Sequence, residues 1–283
     1  MSAEMTMANN CKKNTGRCSI ALLPAFMTMA LLQLASTALA QEADYINPDR
    51  PGIADGSKVV GAGRFQVESG IQHEYRRDGS LSDRRLFVPT LLRMGIGERW
   101  EVRIESNAYT WKRVSDPGNG DMRSEGLAPA SLGMKYQFRG ADDPRQPSLG
   151  AIMRIFPASG SGEFRSRHTT GDFRLAADWD FASNWSLNPN LGVAVYEDDQ
   201  NQIFTAGLFA VTLNYNPSKT LNFFVDTGMQ SRERKNGKSA IVFDAGVAYL
   251  ITRDIQLDFS VGAGTAGTTP PRTFVALGIS KRF

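Results

Sequence analysis

Beyond residue 40 the chain has no cysteine, since Cys11 and Cys18 both fall in the first 40 residues. A secreted form cleaved after that stretch has no disulfide, so a large core or a closed sheet must hold it together. Neither cysteine stands at the end of an apolar run, which excludes a lipoprotein anchor. Long hydrophobic runs are also missing. A helical span needs about 20 mostly apolar residues, and only Ser19 to Ala40 approaches that. A helical membrane protein is therefore excluded. Mean hydropathy is -0.29 and 22% of residues are charged, figures that alone would suit a soluble protein. An excess of one charge is lacking too. The formal +3 drops by only two when Glu4, Lys12, Lys13 and Arg17 are removed, so no nucleic-acid partner is expected. Histidine is limited to His73 and His168.

The N-terminus carries a secretory signal. Lys12, Lys13 and Arg17 form a positive region, and Ile20 to Leu34 form an apolar core interrupted by Pro24. Ala38-Leu39-Ala40 is a small-x-small cleavage site before Gln41. Residues 1–40 are thus expected to be a cleaved signal peptide.

From Gly63 onward, apolar and polar residues alternate. A strand sends successive side chains to opposite faces, so a barrel wall in lipid has this pattern. Phe65, Val67, Ile71 and Tyr75 share one face, and Arg64, Gln66, Glu68, Gln72 and Glu74 share the other. Trp100, Val102 and Ile104 alternate with Glu101, Arg103 and Glu105; Phe173, Leu175 and Trp179 alternate with Asp172, Arg174 and Asp178. The pattern predicts strands at 63–75, 84–96, 100–112, 126–138, 148–157, 169–181, 185–196, 203–215, 220–230, 239–251, 254–264 and 272–283. The expected fold is all-β: an antiparallel, transmembrane, up-and-down β-barrel of about twelve strands over residues 63–283, in a Gram-negative outer membrane. Tight turns are expected at 97–99, 182–184 and 252–254, on the periplasmic side. Longer external loops are expected at Arg76–Asp83, Arg113–Glu125, Ala158–His168, Ser231–Lys238 and Thr265–Pro271, with Arg139–Pro147 as a longish periplasmic exception.

Aromatic residues mark the inner membrane boundary. Trp100, Tyr136, Phe138, Trp179, Phe181, Trp185, Tyr215, Tyr249 and Phe283 all adjoin the expected periplasmic turns, on the apolar face. An amphipathic ring suits the membrane–water layer. A soluble sandwich would also alternate, but would give no reason for this clustering at one end. Phe283 ends the last strand on the face of Val275, Leu277 and Ile279. A terminal aromatic there suits recognition by the barrel assembly machinery. Outer-membrane lipids are the other expected partner.

The inward face carries charge. Arg64, Arg93, Arg103, Lys135, Arg154 and Arg174 come from the first half, whereas Asp226, Asp244 and Asp258 come from three successive strands of the second. Two readings are open. Opposed walls would set a transverse field that selects polar solutes. Alternatively, Arg–Glu and Arg–Asp pairs fill a polar interior, and Glu68, Glu101 and Glu105 among the arginines favour this. Residues 41–62 hold Pro48, Pro51 and three glycines, so no regular structure is expected; the segment either plugs the lumen or stays in the periplasm.

Several segments resemble the outer-membrane transporter family described as the putative MetA-pathway of phenol degradation. They are Asp49-Arg50-Pro51-Gly52, Arg64-Phe65-Gln66-Val67-Glu68-Ser69-Gly70, Pro89-Thr90-Leu91-Leu92-Arg93-Met94-Gly95, Trp100-Glu101-Val102-Arg103-Ile104, Ser131-Leu132-Gly133-Met134-Lys135-Tyr136 and Phe156-Pro157-Ala158-Ser159-Gly160. Ala128-Pro129 stands where the family pattern would have Gly-Asp. The resemblance implies passage of small, aromatic solutes. Two other classes compete with a channel: a structural or surface-interaction barrel with a closed lumen, and an outer-membrane hydrolase. Barrel hydrolases pair base and nucleophile as His-x-Ser, whereas this chain has His73-Glu74-Tyr75 and His168-Thr169-Thr170. There is also no Gly-x-Ser-x-Gly elbow and no Cys/His cluster for a metal, so neither an enzyme nor a cofactor is expected.

Overall fold

A computed structural model describes residues 44–140, 146–267 and 270–283. The expected signal peptide and part of the Arg139–Pro147 and Thr265–Pro271 connections lie outside the described residues. Among the described residues, fifteen strand segments succeed one another. They are β1 (Phe65–Asp78), β2 (Leu81–Phe87), β3 (Thr90–Gly95), β4 (Trp100–Ser106), β5 (Tyr109–Asp116), β6 (Gly120–Leu127), β7 (Ala130–Arg139) and β8 (Ser148–Phe156), then β9 (Thr170–Ala182), β10 (Trp185–Glu197), β11 (Ile203–Tyr215), β12 (Leu221–Gln230), β13 (Ala240–Thr252), β14 (Ile255–Ala266) and β15 (Thr273–Arg282). Three pairs act as single long strands. β2 and β3 pair with successive stretches of β1, β5 with β2 and β4 with β3, and β6 with β5 and β7 with β4. The result is a closed antiparallel barrel of twelve strands.

The three breaks line up across neighbouring strands. Pro89 and Pro129 cannot donate to the ladder, so each interrupts its strand. Between them, Ala108 has a φ of 43°. The Val88 N–H reaches both the Asn107 and the Tyr109 carbonyl at 3.3 Å, the two-against-one arrangement of a bulge. The extra residue reverses the facing of the strand beyond it. Trp100 and Ile104 point outward below the bulge, and Trp111 points outward above it, 42% exposed.

Two expected external loops are strand instead. Arg76–Asp83 is a hairpin tip at Gly79-Ser80, and Arg113–Glu125 is the β5–β6 hairpin, turning at Pro117-Gly118-Asn119. Both segments are largely polar on either face, so they carry no alternation from which strand could be read.

Closure joins the ends. β15 pairs with β1 from Gln66↔Arg282 to Tyr75↔Thr273, and the Phe283 N–H donates to the Phe65 carbonyl at 2.8 Å. Burial is inverted relative to a soluble domain. Leu191 and Phe283 on the outside are each 64% exposed, while Glu68, Glu101 and Lys135 inside are 0% exposed. Apolar exterior and ionised interior are what a lipid-facing wall requires. At the periplasmic rim Trp100 lies 4.3 Å from Tyr136 between ring centroids, Trp185 lies 4.8 Å from Tyr215, Trp179 lies 5.8 Å from Phe181, and Phe65 lies 6.1 Å from Phe283.

Candidate functional site

The inner wall and residues 45–62 build one polar site. The segment has no strand or helix. It begins near a periplasmic turn, where the Ile46 N–H donates to Arg253 O at 2.7 Å. It then arches up inside the barrel. The Ile53 N–H donates to Asp226 Oδ2 at 2.7 Å, and the Asp55 N–H to Asn190 Oδ1 at 2.8 Å. It descends past Ser57, which bonds Ser148 and donates to Asp178 Oδ2 at 2.5 Å, and past Val60, whose N–H donates to Glu101 Oε2 at 3.1 Å.

Charges on the wall are matched by charges on the arch. Arg93 donates to Glu68 at 2.9 Å and to Glu101 at 2.8 Å. Asp49 of the arch lies 2.9 Å from Lys135 Nζ and 3.1 Å from Arg103 Nη2. Asp55 lies 3.1 Å from Arg103 and 3.2 Å from Arg174. On the other side Arg50 donates to Asp258 Oδ1 at 2.9 Å. The arch therefore presents carboxylates to the basic half of the wall and a guanidinium to the acidic half. Arg154 pairs with Asp172 and Glu105, at 2.6 Å each. Asp226 and Asp244 stand opposite each other across β12 and β13, and Asp226 also accepts from Thr212 at 3.3 Å. Arg64 is apart from this cluster, at the rim against Gly61.

Glycines on the inner face let the arch approach. Gly70 and Gly278 are paired across the β1–β15 seam. A Cβ on Gly278 would lie 2.5 Å from the Arg50 guanidinium, and one on Gly228 would lie 2.8 Å from Ile53. Sequence reading missed Asp49, Arg50, Asp55 and Ser57 as site residues because an irregular segment has no period. Inward-facing glycines within strands were the available signal, since they mark close approach by another chain.

The arch divides the lumen. An external chamber of about 570 Å³ and a periplasmic one of about 280 Å³ meet at Asp49, Arg50, Pro51 and Gly52. The external chamber is of a size that holds a small ligand. One side is charged, with Arg103, Arg154 and Arg174; the other sets the apolar Ala210, Val242, Phe274 and Ala276 beside Asp244 and Ser260. His73 lies on the outer face, and His168 lies in an external loop with Nδ1 3.3 Å from Glu197. Among the described residues no group of His, Cys, Asp and Glu could hold a metal ion.

Comparison with known proteins agrees with this architecture. The model of the family described as "Putative MetA-pathway of phenol degradation" matches residues 48–283. The chain belongs to that family. An outer membrane channel from Pseudomonas putida F1 shares the fold with a TM-score of 0.62 at 14% identity, covering 84% of this chain and all of that one. The β domain of the Bordetella autotransporter BrkA gives 0.51 at 13% identity, covering 77% of this chain and 99% of that one. The transport unit of the Escherichia coli autotransporter AIDA-I gives 0.50 at 11% identity, covering 89% and 97%. These are likenesses of fold. No curated protein matches the chain. As a family member with an apolar exterior, a charged interior and a closed ring, this protein is an outer-membrane β-barrel.

Proposed function

We propose that the protein is a passive outer-membrane channel for small solutes, and that residues 49–52 form its constriction. The observation that carries this is the pair of chambers meeting at one short, non-covalently held stretch of arch. The external chamber suits a solute with both a polar and an apolar side. Family membership favours aromatic solutes, and the Pseudomonas protein that shares the fold is itself named as a channel. Among the described residues, His73 faces outward and His168 pairs with Glu197 in an external loop, which supports passage over hydrolysis. Phe283 completes a lipid-facing strand at the periplasmic end, which supports its recognition by the barrel assembly machinery.

The dense bonding of the arch favours one competing reading, a structural barrel with a closed lumen. Single-channel recording in planar bilayers and solute flux into liposomes separate the two. The wild type is expected to pass small current. A variant with Asp49→Asn and Arg50→Gln, which unpins the arch from both halves of the wall, is expected to conduct several-fold more. Absence of current and flux in both proteins would sink the channel reading.

A further inference from the structure

Three guanidiniums converge on the floor of the external chamber: Arg103 from β4, Arg154 from β8 and Arg174 from β9. The intervening strand β7 makes room for them. It carries Gly133, where a Cβ would lie 2.9 Å from the Cγ of both Arg103 and Arg154. Arg154 is satisfied by the wall itself, through Asp172 and Glu105. Arg103 also meets Asp49 of the arch at 3.1 Å, and Arg174 shares Asp172 at 3.2 Å. The carboxylate that bridges them comes from the arch: Asp55 Oδ1 accepts from Arg103 Nη2 at 3.1 Å, and Asp55 Oδ2 accepts from Arg174 Nη1 at 3.2 Å.

That bridge leaves donors over. The Arg103 side chain is 1% exposed, yet its Nε and Nη1 have no hydrogen-bond partner among the described residues, and neither has the Arg174 Nε. Guanidinium groups carry five donors in a fixed fork, and leaving buried donors unmade is costly. An incoming carboxylate can therefore meet donors that Asp55 leaves unused. Across the chamber, Ala210, Val242, Phe274 and Ala276 present apolar surface with an aromatic ring, interrupted by Asp244 and Ser260.

We propose that Arg103 and Arg174 bind the carboxylate of a small aromatic acid entering from outside, and that Asp55 holds this site as an internal stand-in for that solute. The solute's carboxylate takes the place of the Asp55 carboxylate, and its ring lies against the Phe274 side. Both guanidiniums stay neutralised during the exchange, since Asp49 also meets Arg103 and Asp172 also meets Arg174, and the displaced Asp55 side chain turns into the open chamber that it already lines. Facing the open chamber, the displaced carboxylate can hydrate, so no charge is left buried and unpaired. The exchange also removes one of the ties between the arch and the basic half of the wall, while the Ile53–Asp226 and Asp55–Asn190 backbone contacts remain. A neutral phenol or alcohol of the same size cannot make the substitution. This inference rests on the channel reading for its purpose, but the binding site is testable without passage.

The test is calorimetric titration of the purified full-length barrel in detergent with benzoate and with benzyl alcohol. Wild type is expected to prefer benzoate. Asp55→Asn removes the internal competitor and is expected to tighten benzoate on the order of tenfold, as one charge-assisted hydrogen bond allows, with benzyl alcohol unchanged. Arg174→Gln is expected to lose the preference. Heat-modifiable mobility in gels checks that each variant is folded, and Asp55→Ser replaces Asp55→Asn should the latter not assemble. Equal affinities for the two probes in all three proteins would overturn the proposal, as would weaker benzoate binding by the Asp55 variants. Selective binding without flux would sink the channel and keep the site; flux without selective binding would sink the site alone.

Discussion

Single side chains in the lumen are bound in sets, so removing one strands the others. Arg93 donates to Glu68, to Glu101 and to the Asn47 and Lys58 carbonyls of the arch. Replacing it by leucine leaves two carboxylates buried without their cation. Arg93→Leu is expected to destabilise the barrel by about 3–5 kcal/mol, read as a lower urea midpoint for loss of heat-modifiable mobility. The outside obeys the opposite rule. Leu191 is 64% exposed and lies midway along β10, a position where a soluble protein would tolerate charge. In lipid, Leu191→Arg is expected to cost about 2–4 kcal/mol, measured by reversible folding into vesicles. An unchanged stability would place that face in water. At the aligned breaks, Ala108 holds a φ of 43° that costs an alanine about 1–2 kcal/mol. Ala108→Gly is therefore expected to raise stability by about 1 kcal/mol.

At the scale of elements, legibility tracked lipid contact. The strand expected at 203–215 is β11, Ile203–Tyr215, to the residue, and β8 to β15 all fall within two residues of their expected ends. Each runs uninterrupted between two environments, so alternation persists along it. The first half was less legible. Pro89, Pro129 and the bulge at Ala108 cut three strands in two, and above those breaks Asp121, Arg123 and Glu125 on β6 resemble loop. The site divided in the same way. Face parity placed Arg93, Arg103, Arg154 and Arg174 inward, but no periodicity reaches Asp49 or Asp55, whose positions are set by the wall they dock on. External loops have their own supports. Asp198 accepts from the Gln202 and Gln200 N–H groups at 2.9 and 3.0 Å and from Lys235 N at 3.4 Å. The Gln202 bond leads in holding its carboxyl below the usual range. A depressed carboxyl pKa contributes order that is full above the ordinary value, about 3.9, and lost as pH falls through the folded one. Amide protection at Gln200, Gln202 and Lys235 is expected to disappear on acidification while the barrel stays closed.

The barrel is a ring whose two ends meet at Phe65 and Phe283. Phe283→Ala keeps the β15–β1 backbone pairing and removes the terminal ring. It is expected to reduce the amount of barrel assembled in cells while leaving the melting behaviour of the assembled fraction little changed. Equal yields would argue against recognition of that ring. The paired glycines under Arg50 bear on how such a ring is made. The Arg50 backbone is bonded to Glu68 on β1 and its guanidinium to Asp258 on β14, strands that flank β15 only after the seam has zipped. Before zipping, Arg50 has one of its partners and not the other; after zipping without it, Asp258 on the inner wall lacks its cation. Shutting the ring and seating the N-terminal segment are therefore energetically coupled, with the arginine as a splint across the joint. Arg50→Ala should slow the appearance of closed barrel during refolding more than it speeds unfolding.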